Sequence, residues 1–348
     1  MKAIELTETG GPEVMLLREI PTSAPQPHQL LIRVAVTGVN FIDLYVREGR
    51  YGNKLPFTPG QEAAGTVVAV GKSVSHLHEG DRVAWCSILG TYAEYAVAPA
   101  ERVVPIPIGL AFEQAAAALL QGMTAHYLSH SAYPIRPGDE VLVHAGAGGT
   151  GLLLTQWAKA RGGRVLTTVS NEEKAELSYQ AGADDVILYT RSDFGHEIKR
   201  LPDGRGLAAV YDPIGKNTVE QSLTCLKARG TLVLYGSASG DVPPLDLMKL
   251  ASLGSLYVTR PVLRDYTLRR NELVDRATEV FQAVQSGTLK LRIERTYSLS
   301  EALRRTAIWK VARLPESYYC FYEAMATNPS PWISKQIIEN QGGTDPAA

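Results

Sequence analysis

One stretch constrains this chain more than any other: DEVLVHAGAGGTG, residues 139–151. A short apolar run bounded by polar residues reads as a buried strand. Gly146, Gly148 and Gly151 follow it in the pattern G-x-G-x-x-G, and LLLTQWAKARG then reads as a helix. The glycine pattern alone is weak, but between a strand and a helix it has the context of a dinucleotide fingerprint. Glycines let backbone approach a pyrophosphate, and the first turn of the helix offers unpaired N–H groups and the positive end of its dipole. The alternative is a tight strand–helix turn without a ligand.

The rhythm continues downstream. RVLTTV, DVILY, AAVYD, TLVLYG and SLYVTR read as five more short apolar strands, separated by helical or loop segments. Six such strands predict a doubly wound parallel sheet, placed over residues 126–262. Upstream, residues 1–125 read as β-rich. LLIRVAV, AAGTVVAVG, DRVAW and YAEYAVA lie between Gly and Pro turns, as in a small antiparallel barrel or irregular sheet. FEQAAAALLQGMTAHYLSH reads as a helix at the junction. Residues 266–287 read as one more helix, ending at Gly287, after which the chain returns to the first domain over 263–305.

The second strand of the parallel sheet predicts which dinucleotide is held. A reader of a ribose 2′-hydroxyl is an Asp or Glu at that strand's end. Here the strand ends in Ser170, with Lys174 four residues later. A hydroxyl and a cation suit a 2′-phosphate, so the sequence favours NADPH. Ser170 is also placed to cap the following helix, with Glu173 three residues on, and Lys174 reads equally as a solvated surface residue.

In the first domain, GVNFIDLYVREGRY (38–51) sets Asn40, Asp43, Tyr45 and Tyr51 in an otherwise apolar stretch. Asn40 reads as a helix N-cap with Asp43 at the third helical position. The functional alternative puts the amide and the tyrosine hydroxyls in a cleft beside a nicotinamide. His126 and His130 have i,i+4 spacing, but no Glu or Cys accompanies them in a metal-binding motif. They read as solvated or capped, and His144 as a residue that packs before the glycine turn.

Composition excludes several classes. A net charge of −1 gives no reason to expect nucleic acid or an anionic membrane as partner. No apolar run reaches the roughly 18 residues of a membrane span. No secretory leader is expected from MKAIELTETGG, and three cysteines, Cys86, Cys225 and Cys320, fit reduced thiols in a cytoplasmic protein.

These motifs together resemble the zinc-independent quinone oxidoreductases, the zeta-crystallin-like branch of the medium-chain dehydrogenases/reductases. NFIDLYVREGRY, LPFTPGQEAAGTVVAVG, AAAALLQGMTAHYL, VLVHAGAGGTG and GSLYVTRP carry the likeness, from residue 1 to about 304. It implies a GroES-like β-rich catalytic domain joined to a Rossmann domain with a six-stranded parallel sheet. In zinc-dependent relatives a Cys stands where this chain has Asn40 and a His where it has Gln61. Both are replaced and Glu62 is retained, so no metal is expected. The resemblance places Asn40, Tyr45, Tyr51, Gln61 and Thr124 about the nicotinamide. It places Gly146, Gly148, Gly149 and Gly151 at the pyrophosphate, and Lys174 and Tyr189 at the 2′-phosphate and adenosine ribose. Tyr235, Gly236 and Ser237 fall toward the nicotinamide ribose. It implies NADPH-dependent reduction of quinones by a homodimer. Reduction of enones or enals, or an NADPH-binding crystallin-like role without catalysis, are the alternatives.

The resemblance stops after Arg304. Family members continue with a helix of the form A-H-x-x-L-E-S-R-x-T-x-G-K and a final apolar strand, whereas this chain reads TAIWKVARLPESYYCFYE. Permitted codons for Thr306–Glu323, read from the last base of codon 305, spell HSNLESRETTGKLLLLL and then a stop. The expectation is a single frameshift near codon 305, in the gene or in its reading, with loss of a core strand if the tail over 306–348 is genuine. Resequencing the locus should show the one-base event. An intact mass matching all 348 residues would exclude a reading error.

Overall fold

The computed structural model describes residues 1–200 and 206–301, and the backbone of 318–322. The chain forms two units. One takes Met1–Ala116 and the return segment from Ile293, and the other Ala117–Arg292.

The first unit is antiparallel. Its strands are β1 (Lys2–Glu5), β2 (Leu16–Glu19), β3 (Gln29–Val39), β4 (Glu62–Val70), β5 (Arg82–Cys86), β6 (Tyr95–Pro99) and β7 (Val103–Pro105), with a short helix α1 (Phe41–Arg47) after β3. The eleven-residue β3 is the spine. It pairs with β4 through Leu30↔Val70 to Thr37↔Ala63 and with β6 through Gln29↔Pro99 to Arg33↔Tyr95. Leu30, Ile32, Val67, Val83 and Trp85 alternate inward from these strands into one core. Ile4, Leu6, Met15, Val39 and Tyr92 form a second cluster with Tyr297. β3 and β4 approach closely at Gly65, where a Cβ would lie 2.1 Å from the Arg33 carbonyl oxygen.

The second unit starts on α2 (Phe112–Tyr127), whose first residues belong to the other unit. It continues through β8 (Glu140–His144), α3 (Gly149–Ala160), β9 (Arg164–Val169), α4 (Glu172–Gln180), β10 (Asp185–Leu188), α5 (Phe194–Lys199) and β11 (Leu207–Asp212). After these come α6 (Val219–Thr224), β12 (Leu226–Leu234), α7 (Leu247–Ser252), β13 (Tyr257–Thr259) and α8 (Arg270–Gln285). The sheet runs β10-β9-β8-β11-β12-β13 with every neighbouring pair parallel. The six expected strands are therefore present in doubly wound order. The direction of winding reverses between β8 and β11, and that crevice is where such sheets bind ligands. Leu142, Leu166, Leu207, Val210 and Leu232 fill the core beneath.

Four local expectations are corrected. The cap of α4 is Asn171, whose side chain accepts from the Lys174 N–H at 2.9 Å, so Ser170 is not the cap. The helix expected over 266–287 starts at Arg270, because Leu263–Tyr266 form a 3-10 turn and the Glu272 carboxylate caps the Arg269 N–H at 3.0 Å. His126 is buried rather than solvated, whereas His130 is half-buried with its Nδ1 3.0 Å from the His126 carbonyl oxygen, as the capped alternative expected. Their rings stack at 4.0 Å, and His126 bridges Glu279 (2.7 Å) and Arg276 (2.5 Å). Burial and the Arg276 charge push the His126 imidazole down to about 4.

The fourth concerns the tail. Beyond β14 (Ile293–Tyr297), most of 306–348 lies outside the described residues. Tyr318–Tyr322 nevertheless form β15, antiparallel to β3 from Tyr319↔Val39 to Tyr322↔Val36, so this tail does supply a strand. YYCFY is rich in the aromatic residues that favour extended backbone.

The close approach at Gly65 predicts that Gly65→Ala lowers stability by ~1–3 kcal/mol. A thermal melt unchanged by the substitution would contradict it.

Candidate active site

The glycine turn is built by contact rather than by sequence habit. β8 delivers the chain to Ala145, a non-glycine residue at φ +53°, a conformation that L-residues hold only under surrounding constraint. A Cβ on Gly151 would fall 2.3 Å from the Ala145 carbonyl oxygen, and one on Gly146 2.4 Å from Thr167 Cβ. A Cβ on Gly149 would strike the Gln121 amide. α3 can therefore start directly over the end of β8, with its first N–H groups facing the crevice.

Beside this turn lies a cavity of about 390 Å³. Gly148, Ser170, Lys174 and Tyr189 all line it, so the structure unites the glycine turn with the three residues expected at the nucleotide's ribose and 2′-phosphate. No acidic residue ends β9, which closes in Thr167, Thr168 and Val169. Tyr235, Gly236 and Ser237 are not among the cavity's lining residues. They follow β12 and pack on the turn after β11, where a Cβ on Gly215 would meet Ser237 Cα at 3.1 Å.

Sequence reasoning missed Phe194, Asn217, Thr218 and Gln221, which also line the cavity. The signal was available in part. AAVYD ends an apolar strand in Asp212, and its buried carboxylate accepts from the Ile214 and Gly215 N–H groups and from Thr218 Oγ1 at 2.7–3.0 Å. A carboxylate at a strand end before Pro-x-Gly is a turn organiser, and Thr218 and Gln221 follow at helical spacing.

In the first unit, Asn40 caps α1, as one reading expected, with its N–H donating to Asp43 Oδ2 at 2.9 Å. Its amide also donates to Glu62 Oε2 at 2.7 Å. The cap reading therefore holds, and the residue is buried with its amide engaged by Glu62. Gln61 is half-buried immediately before β4, and its carbonyl accepts from the Ser87 N–H. Tyr45 is half-buried on α1, edge-on to Phe41, with the Arg50 guanidinium 4.5 Å over its ring. Tyr51 is exposed. Thr124 is half-buried on α2 and belongs to the other unit.

The donor set at the would-be metal position is two amides and a carboxylate already engaged by one of them. Zinc prefers imidazole or thiolate, and this set offers neither. Among the described residues no group of three or more His, Cys, Asp or Glu side chains is placed to hold a metal ion.

Tyr92 Oη donates to the same Asp43 Oδ2 at 2.8 Å, and Asp43 Oδ1 is buried without a hydrogen-bond partner among the described residues. Burial raises the Asp43 carboxyl to about 7 against the opposing hydrogen bonds from Asn40 and Tyr92. Burial also holds the Tyr92 hydroxyl well above its ordinary value.

The comparisons agree with this architecture. A family described as "Alcohol dehydrogenase GroES-like domain" matches residues 26–108, and one described as "Zinc-binding dehydrogenase" matches 149–279. The class is a GroES-like domain joined to a dinucleotide-binding domain. A quinone oxidoreductase of Pseudomonas aeruginosa is 42% identical over 305 residues, which is 87% of this chain and 94% of that one. A 2-haloacrylate reductase of a Burkholderia species is 36% identical over 330 residues, 90% of this chain and 99% of the relative. The crystal structure of Escherichia coli quinone oxidoreductase complexed with NADPH superimposes with a TM-score of 0.90 at 38% identity, covering 93% of this chain and all of that one. The chain belongs to the quinone oxidoreductase family of the medium-chain dehydrogenases/reductases.

The Asp43 site predicts a pH dependence. The native carboxyl keeps its proton up to about 7, whereas the unfolded one releases it near 3.8. The folded state binds more protons in between, so this group's contribution to stability falls as pH rises through that window and levels off above it. Asp43→Asn should therefore flatten the decline in Tm between about pH 4 and about pH 7. A variant with the wild-type slope would refute the assignment.

Proposed function

We propose that this protein reduces quinones with NADPH, without a metal ion. The observation that carries the reading is the cavity itself. Ser170, Lys174 and Tyr189 converge at its edge beside the glycine turn, and no acid stands at the end of β9. A hydroxyl, a cation and a phenol suit a 2′-phosphate, where an Asp or Glu would repel it. The NADPH complex of a 38% identical quinone oxidoreductase supports the same cofactor.

The glycines that admit no Cβ fit a pyrophosphate laid against backbone, and the start of α3 supplies N–H donors to it. When bound, NADPH supplies a hydride. A quinone is electron-poor and its reduced form takes protons from water, so the protein need only orient the two and shape their contact. Asn40 is the fixed polar group for this task, because Glu62 and Asp43 hold its amide and backbone. Tyr45, Tyr51, Gln61 and Thr124 are proposed as the other residues about the nicotinamide, and Tyr235, Gly236 and Ser237 as those toward its ribose.

A second reading, reduction of a carbon–carbon double bond conjugated to a carbonyl or carboxylate, is favoured by the 36% identity to a 2-haloacrylate reductase. We also propose a homodimer, joined along β13. Leu247, Met248, Tyr257, Val262 and Leu268 are exposed around that sheet edge, an apolar group of the kind that pairing covers. Among the described residues no helix is long and apolar enough to cross a membrane. A cytoplasmic location is the accompanying proposal.

NADPH oxidation with 1,4-benzoquinone, 9,10-phenanthrenequinone and a simple enone, with NADH and a chelator in parallel, decides between the readings. Quinone turnover that prefers NADPH and ignores the chelator is expected. Turnover of the enone alone would move the assignment to double-bond reduction. Lys174→Ala should raise KM for NADPH about tenfold, the loss of one charged hydrogen bond, and leave KM for NADH nearly unchanged. An equal effect on both cofactors would remove Lys174 from the 2′-phosphate.

A further inference from the structure

His144 ends β8 two residues before the first glycine of the turn, and it is 1% exposed. Both ring nitrogens are engaged. Nδ1 lies 2.8 Å from Thr168 Oγ1 and Nε2 lies 3.0 Å from Ser222 Oγ. Ser222 Oγ in turn lies 3.3 Å from Asp212 Oδ2, the oxygen that also accepts from Thr218 Oγ1.

The direction of this chain follows from its end. A carboxylate only accepts, so Ser222 donates its O–H to Asp212. The Ser222 oxygen then accepts from His144, which puts the ring proton on Nε2. A neutral imidazole with Nε2–H has an acceptor at Nδ1, and Thr168 donates to it. Burial holds the ring neutral by pushing its pKa down, against the opposing pull of the Asp212 charge. Phe194 closes the site edge-on, 4.8 Å from the imidazole.

The two partners of this ring, and Asp212 behind one of them, come from three walls of the same cavity. Thr168 stands two residues before Ser170 on β9. Ser222 lies on α6 beside Gln221. Asp212 fixes the turn carrying Ile214 and Thr218. His144, Thr168, Ser170, Ile214, Thr218 and Gln221 all line the cavity.

We propose that His144 is a positioning residue for the nucleotide end of the cofactor: its two hydrogen bonds lock β9, α6 and the turn after β11 into one pocket, and so set NADPH affinity rather than the rate of hydride transfer. The proposal rests on the NADPH reading above. The sequence alone gave this histidine only a packing role.

The test measures NADPH dissociation by fluorescence titration together with steady-state kinetics on the full chain. His144→Phe keeps a ring against Phe194 but strands the Thr168 and Ser222 hydroxyls in a buried site. The NADPH dissociation constant and KM should rise about tenfold or more, in step with the loss of buried hydrogen bonds. kcat at saturating NADPH and KM for the quinone should stay within about twofold, because the reacting end is untouched. His144→Gln, which can still donate to Ser222, should recover part of the affinity. A folded His144→Phe protein with wild-type NADPH affinity overturns the proposal, as does a loss confined to kcat. If the Phe variant does not fold, the Gln variant decides: an affinity below wild type supports the proposal, and wild-type affinity overturns it. A wild-type protein that binds no NADPH overturns the cofactor reading and this proposal with it, whereas wild-type binding with unaltered variants overturns only this proposal.

Discussion

The nucleotide half of this protein depends on one backbone passing another with no side chain between them. Gly151 lies so close to the Ala145 carbonyl that a methyl group would overlap it. That contact brings α3 down onto the end of β8 and turns its unpaired N–H groups toward the crevice. The strained φ of Ala145 belongs to this approach, and the Thr167 side chain closes on Gly146 beside it. A dinucleotide pocket is then a consequence of steric permission: what is absent from the glycines defines the space for phosphate.

In the first unit the governing interaction is electrostatic. Glu62 is fully buried, and a buried carboxylate is costly unless it is hydrogen-bonded. The Asn40 amide meets that need, and Asp43 meets the need of the Asn40 N–H in turn. Asp43 is left with one oxygen unmatched among the described residues, and burial raises its pKa. The helix cap and the hydrogen-bonding partner of a buried carboxylate are thus one feature: the residue that starts α1 is also the residue that satisfies Glu62.

The parallel sheet was legible in the sequence because its strands are buried on both faces and read as continuous apolar runs. The glycine turn with Ser170 and Lys174 was legible for a related reason, since chain order and fold order coincide around β8 and β9, whereas Tyr189 entered only through the family resemblance. The rest of the cavity was not. Phe194, Thr218 and Gln221 come from α5 and α6, far along the chain, and only the closing of the sheet between β8 and β11 brings them beside the glycine turn. His126 misled because its partners, Arg276 and Glu279, sit about 150 residues away. The α4 cap slipped by one residue, which is the ordinary uncertainty of a helix start where two polar residues adjoin.

β15 carries a lesson about how sheets recognise their strands. The ladder from Val39 to Val36 binds backbone amides and carbonyls, which every residue but proline offers alike. The aromatic run that forms β15 therefore meets β3 through groups common to nearly every residue type. A sheet margin that selects backbone shape over side-chain identity admits strands of different composition, and YYCFY is one of them.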